Sequence, residues 1–275
     1  MTQTPTLYAV VAALDGLYPR DTAESWDAVG LVAGDPSTPI RRILFAVDPV
    51  DAVVKEAIAW GADLLITHHP LYLRPTSFMA ADTFKGSVVH RLISSGIALY
   101  VAHTNADAAP RGVAQALADR CGLKNTRPLI PQAQDPERGL GRVGRLPEPM
   151  TLRAFAEHVA GSVPSTAQGV RVAGDLDAVV SSVAVSGGSG DGFFNDVRAA
   201  GVDVYVTADL RHHPTSEARE RAEFGQGTPY ILDLAHFASE WPWLVYAEAD
   251  LMAVLPHTIE TRVSEICTDP WTARM

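Results

Sequence analysis

RRILFAVDPVDAVVKEAIAWGADLLITHH, residues 41–69, is the stretch that sets the fold class. RRILFAVD is a short apolar run without polar alternation, the pattern of a strand buried on both faces. VDAVVKEAIAWGA, residues 50–62, carries its apolar residues at helical spacing and is closed by Gly61. ADLLITHH is a second buried strand, and it ends in two adjacent histidines. Strand, helix and strand with short joints mean an α/β architecture with a largely parallel sheet.

The same alternation extends in both directions. Upstream, Thr4 as cap, Pro5 at the first helical position and the stripe Leu7, Val10, Val11 and Leu14 predict a helix, followed by a loop over Asp21–Asp35. Downstream, FKGSVVHRLISSG (84–96) reads as a helix ended by Gly96, IALYVAHTN (97–105) as a strand and GVAQALADRCG (112–122) as a helix. From about Thr126 to Asp177 the pattern weakens. Pro128, Pro131, Pro136, Pro147, Pro149 and Pro164 surround one helix, Leu152–Ala160, and the segment reads as a linker into a second lobe. Alternation then resumes with SSVAVSGGSG (181–190), DGFFNDVRAAG (191–201), VDVYVTAD (202–209), TSEARERAEFG (215–225), PYILDLAHF (229–237) and the helical WPWLVYAEADLMAVLP (241–256), leaving a tail. The expectation is two interlinked α/β lobes echoing each other in element order. Residues 1–127 form the first, 128–229 the second, and 230–275 supply a closing strand and helix.

Composition narrows the function classes. The 275 residues are 47% hydrophobic and 20% charged, an ordinary globular balance. No apolar run approaches the roughly 18 residues that a membrane span needs. MTQTPTLYAVVAALDGLYP has no basic residue ahead of its apolar part and no small-residue cleavage site, so it does not read as a secretory signal, and a cytoplasmic address is expected. A net charge of −10 argues against nucleic acid as a partner, with Arg41–Arg42 and Arg138–Arg145 reading as solvated arginines. Cys121 and Cys267 form no CxxC and imply neither a disulfide framework nor a zinc knuckle.

Six of the nine histidines stand at predicted strand ends. THH (67–69), HTNAD (103–107) and HFASE (236–240) each end or follow a strand, and open α/β sheets bind ligands at the carboxyl ends of their strands. Side chains of adjacent strand residues point to opposite faces, so His68 and His69 can diverge toward two ions at a frayed end. His236 and Glu240 lie four apart and share a helix face. Asp107 and Glu240 are the carboxylates able to bridge a metal pair, which activates a water and clamps an ester or phosphate. The expected ligands are therefore His68, His69, Asp107, His236 and Glu240, and mixed N/O donors suit two divalent ions such as Zn, Mn or Fe. His90, His158 and His257 read as ordinary polar residues. His212 and His213 read either as substrate-facing or as a polar turn.

Other motifs carry less. GGSGDG (187–192) resembles a phosphate-cradling turn before a helix N-terminus but matches neither a P-loop nor a dinucleotide fingerprint, and the plainer reading is a tight strand-to-helix turn. Ser25, Ser186 and Ser189 lack the GxSxG elbow of a serine hydrolase.

ESWDAVGLVAGDP (24–36), ADLLITHHPLYLRP (62–75), VAHTNADAAPRGV (101–113), GLGRVGRLPEP (139–149), VSGGSGDGFFNDVRAAGVDVYVTADLRHHPTSEARE (185–220) and LDLAHFASE (232–240), in this order, resemble a known family. It is the dinuclear-metal-centre hexamer family named after the yeast NGG-one-interacting factor three, often labelled GTP cyclohydrolase 1 type 2 homologue. The resemblance covers almost the whole chain. It implies a bimetal site at the same five residues and a toroidal homohexamer. An inserted domain found in some members is not expected at this length. Ala208 and Ala235 stand where the family usually has Gly, and Ala106 where it often has Leu; none of these removes a ligand. Three readings follow. The first is a metal-dependent hydrolase acting on a small-molecule nucleotide, phosphoester or cyclic amide, with His103 or Glu24 handling protons. The second is a metal-handling protein without turnover, and the third a scaffold with structural metals.

Overall fold

A computed structural model describes residues 4–255 and 258–275; His257 lies outside them. Helix α1 (Leu7–Leu17) is capped by Thr6, whose Oγ1 accepts from Ala9 N, rather than by Thr4. The reason is tertiary. Leu7 N donates to Thr38 O and Ile40 N to Pro5 O, so residues 5–7 are held extended against 38–40 and the helix cannot start earlier.

The chain then runs through β1 (Gly30–Ala33), β2 (Arg42–Ala46), α2 (Asp51–Trp60), β3 (Leu64–Thr67), α3 (Phe84–Ser94), β4 (Ala98–Val101) and α4 (Thr104–Ala108). Next come α5 (Val113–Arg120), β5 (Lys124–Pro131), β6 (Gly139–Thr151), α6 (Leu152–Ser162), β7 (Arg171–Ala173) and β8 (Val179–Ser189). After these follow α7 (Phe194–Ala200), β9 (Val204–Ala208), α8 (His212–Phe224), β10 (Tyr230–Leu234), α9 (His236–Glu240), α10 (Pro242–Val254) and β11 (Glu260–Val263).

Among the described residues, one sheet has the order β1-β4-β3-β2-β11 and the other β5-β6-β8-β9-β10-β7. In the first, β2, β3, β4 and β11 are parallel and β1 closes the edge antiparallel. In the second, β8, β9 and β10 form a parallel centre with antiparallel strands outside it. The chain is thus α/β, with two lobes and a mostly parallel core in each. One compact unit takes residues 1–106 and 244–268, the other 107–243 and 269–275. The expected boundaries at 127 and 229 fall inside the second unit.

Two segments differ from expectation. The proline-rich middle is not a linker: β5 and β6 pair as a long antiparallel hairpin at the edge of the second sheet. Pro128 and Pro131 sit on the edge strand, while Pro147 and Pro149 fall where the β6–β8 register shifts between Arg145 and Met150. These are the places in a sheet where a missing N–H is tolerated. The expected tail contains β11, which pairs parallel with β2. Its sequence, ETRV, has no apolar run of its own, because an edge strand is buried on one face at most.

The core of the first unit joins Leu44, Val54, Leu65, Leu92 and Leu99; that of the second joins Leu117, Phe155, Val183, Val206 and Leu232. Each such buried side chain contributes roughly 1.5–3 kcal/mol. No helix among the described residues is long and apolar enough to cross a membrane.

Candidate metal centre

His68 and His69 follow β3 directly and stay tied to the end of β2, with His68 N donating to Ala46 O and His69 N to Val47 O. Their ring centroids are 5.0 Å apart with planes tilted by 43°, so the two rings lie side by side at the strand end. His103, just beyond β4, brings a third ring to 5.2 Å from His68 and 5.6 Å from His69. One ring nitrogen from each of the three lies within 4.8 Å of the others, close enough to hold a metal ion.

In each ring Nδ1 is already committed. His68 Nδ1 donates to the Ala102 carbonyl at 2.9 Å, and a carbonyl can only accept, so the tautomer is fixed. His69 Nδ1 is 2.7 Å from Asp48 Oδ1, and the other oxygen of Asp48 accepts from Thr268 Oγ1. His103 Nδ1 is 3.0 Å from Asp27 Oδ2, which also accepts from Thr104 N and Oγ1. Burial opposes the charge on Asp27, but the hydrogen bonds from His103 and Thr104 outweigh it and hold its carboxyl well below the usual carboxylate range. An imidazole that gives its Nδ1 proton to such acceptors carries its lone pair on Nε2, which is how metal-ligating histidines are oriented.

The second unit repeats the arrangement with a carboxylate. His236 opens α9 and Glu240 lies one turn on, with Nε2 2.9 Å from Oε1. Glu240 is 3% exposed. His236 Nδ1 is 2.7 Å from Asp209 Oδ2, and Asp209 sits just past β9 at the left-handed φ of 54°. Gly188 supports the pair: its N donates to Ser239 Oγ, and a Cβ there would stand 2.6 Å from Glu240 Oε1 and 3.3 Å from His236 Nε2. Gly187 and Gly188 of GGSGDG therefore serve close approach between β8 and α9.

Asp107 lies on α4, half-buried. The segment after it is pinned by Arg142, whose buried guanidinium donates to the carbonyls of Ala109, Gly139 and Gly141. Burial pulls that guanidinium down to about 10. Glu24 presents its backbone N to Thr104 Oγ1, and its side chain is exposed, so of the two expected proton carriers only His103 joins the imidazoles. His212 and His213 open α8, exposed and stacked edge to face at 5.2 Å, and join neither cluster among the described residues.

The donors fit a divalent metal: imidazoles oriented through Nδ1 and a buried carboxylate. A family model described as Duf34/NIF3 (NGG1p interacting factor 3) matches residues 5–270. The chain belongs to the Duf34/NIF3 family. A relative from Streptomyces coelicolor, named GTP cyclohydrolase 1 type 2 homolog, is 55% identical over 276 residues, covering 98% of this chain and 95% of that protein. Among solved structures, a Bacillus cereus protein related to NIF3 superposes with a TM-score of 0.87 at 26% identity, covering 98% of this chain and all of that one. A Staphylococcus aureus protein gives 0.88 at 28% identity, over 99% and 100%.

Sequence reasoning missed Asp27, Asp48 and Asp209, which orient three of the imidazoles in this Duf34/NIF3 chain. A signal was present. FAVD and VTAD each end an apolar strand run with an Asp, beside the neighbouring strands whose ends carry histidines.

Proposed function

We propose that this Duf34/NIF3 chain holds two divalent metal ions on His68, His69, Asp107, His236 and Glu240 and works as a metal-dependent hydrolase. The observation that carries this reading is the common orientation of the imidazoles: His68, His69, His103 and His236 each have Nδ1 tied to a fixed acceptor. A metal pair, when bound, supplies a water of lowered pKa and a clamp for a developing negative charge. The chain's own residues do the rest. Asp27 keeps His103 oriented so that its Nε2 either ligates or takes a proton from the attacking water. Glu240 faces His236 at 2.9 Å, and the missing Cβ at Gly188 leaves room for its carboxylate. The substrate class in this reading is a nucleotide, phosphoester or cyclic amide. The first of these accords with the name of the Streptomyces coelicolor relative, GTP being a nucleotide.

The same reading includes a cytoplasmic, toroidal homohexamer. Its support within this chain is the exposure of Leu73, Phe78, Met79 and Phe84 on one connecting segment, apolar surface that a second copy would cover. Elemental analysis of gently purified and reloaded protein is expected to give two ions per chain, and a screen against nucleotides and phosphoesters to give turnover abolished by chelation. A protein that takes up no ion after loading with Zn, Mn or Fe defeats the reading. Light scattering tests the ring.

A further inference from the structure

Beside Asp209 the chain builds a second feature that the metal chemistry does not use. Residues 210–212 continue from Asp209 into α8 and line a cavity of about 380 Å³ together with β7, β10 and the first turns of α8. In a chain of net charge −10, three arginines face this one cavity: Arg171, Arg211 and Arg219. Asp233 is the carboxylate in its wall.

The three guanidiniums are used differently. Arg219 is spent structurally: it donates to the carbonyls of Gly227 and Pro229, pairs with Glu223 at 3.4 Å and lies 5.2 Å from the Tyr230 ring, so it is fixed in the wall. Arg171 gives Nε and Nη2 to Asp233, which leaves Nη1 outside that pair, and its side chain is 58% exposed. Arg211 gives Nε to Asp191, leaving both Nη groups outside that pair on a side chain 77% exposed. Asp233 is meanwhile saturated by Arg171, Gln168 and Leu210 N, so it holds Arg171 in place. The first turn of α8 adds backbone N–H groups, with no acidic residue and no side-chain cap to satisfy them. The neighbouring cavity of about 430 Å³, on the other flank of α8, is lined by Arg198 and Arg221 together with Asp191 and Glu217, and Asp191 is the partner of Arg211.

We propose that the cavity between β7 and the start of α8 binds the phosphate group of a phosphorylated small molecule, with Arg171 and Arg211 as its ligands. Forked guanidinium donors match phosphate oxygens, and the helix start favours the negative charge. This names the substrate class of the hydrolase proposed above and rests on that reading: the same connection that orients His236 through Asp209 begins the phosphate cavity, so one substrate would reach both.

The test is calorimetric titration of the chelator-stripped full chain with inorganic pyrophosphate at low ionic strength, which removes any binding to metal. Saturable binding at one site per chain is expected. Arg211→Gln should weaken it at least about tenfold, as loss of a charged hydrogen-bonding partner does. Ser216→Asp, an exposed change that puts a negative charge at the cavity wall, should weaken it comparably, while Arg198→Gln in the other cavity should leave it unchanged. Failure of the stripped wild type to bind overturns the site. So does binding that survives both Arg211→Gln and Ser216→Asp, or that falls equally in Arg198→Gln. Metal content, measured separately on the wild type, distinguishes the two ideas. Pyrophosphate binding through Arg211 without metal uptake keeps this site and defeats the hydrolase reading, whereas two ions without pyrophosphate binding do the reverse.

Discussion

GADLLITHH (61–69) and GVDVYVTAD (201–209) are the same device built twice, once in each unit. In both, a glycine in the left-handed conformation ends a helix, Gly61 at φ 73° and Gly201 at φ 63°. In both, the Asp two residues later accepts two backbone N–H groups at the start of the neighbouring strand: Asp63 from Arg41 and Arg42, Asp203 from Ser181 and Ser182. A buried parallel strand follows each time, with Thr67 the last residue of β3 and Thr207 the last but one of β9. The frames then diverge. The first continues with His68 and His69, the second with Ala208 and Asp209. The echo extends to the next strand. AHTNAD (102–107) and AHFASE (235–240) each place a histidine at a strand end and a carboxylate four residues on. The difference teaches a division of labour on one scaffold: the first unit ends its strand in imidazoles, while the second ends its strand in the carboxylate that orients an imidazole.

The largest effects should come from the two histidine–carboxylate pairs. Glu240→Gln keeps shape but removes charge from between cations, and the loaded protein should lose at least one ion while its circular dichroism is retained. If the echo is functional, His103→Gln should cost an ion just as His236→Gln does. Retention of both ions with lowered turnover would make His103 a proton carrier and break the equivalence.

Next comes Gly188→Ala. A Cβ at 2.6 Å from Glu240 Oε1, on a backbone at φ 66°, should displace the carboxylate, with ion loss and a destabilisation of about 1–3 kcal/mol in urea melts. Gly192→Ala, with open space around it, should stay close to wild type on both counts.

The orienting carboxylates sharpen the comparison further. Asp48→Asn and Asp209→Asn should each weaken metal affinity about 10–100-fold, measured by competition with a chelator, without unfolding the chain. Thr268→Val, acting through Asp48, should weaken it less. Equal affinity in all three variants would mean that the imidazoles need no orientation.

The smallest effect concerns Asp203. Burial opposes its charge, but hydrogen bonds from Ser182 and Ser181 prevail and lower its pKa on folding. A lowered folded pKa contributes stability that is present above the unfolded value, roughly 3.9, and is lost as pH falls through the folded one. Asp203→Asn should therefore flatten the acid limb of stability below about pH 4, read from urea midpoints against pH. An unchanged limb would show that the lower pKa does not contribute.

The sequence by itself determined whatever rests on local pattern. Continuous apolar runs such as ILFA and LLIT can only be strands buried on both faces, and glycine closes the helices between them, so the α/β class was legible. His236 and Glu240 were legible as a pair because four residues is one helical turn. The gathering of imidazoles was legible because three strand ends carried them. Tertiary structure decided what depends on partners distant in the chain. Asp27 meets His103 across 76 residues, and Asp48 meets Thr268 across 220. The strands of the proline-rich hairpin and of ETRV exist because edge positions excuse a missing N–H or a missing apolar face, and being an edge is a property of the sheet, not of the segment. The arginines of the α8 cavity lie far apart in sequence for the same reason: β7 reaches them only by pairing with β10.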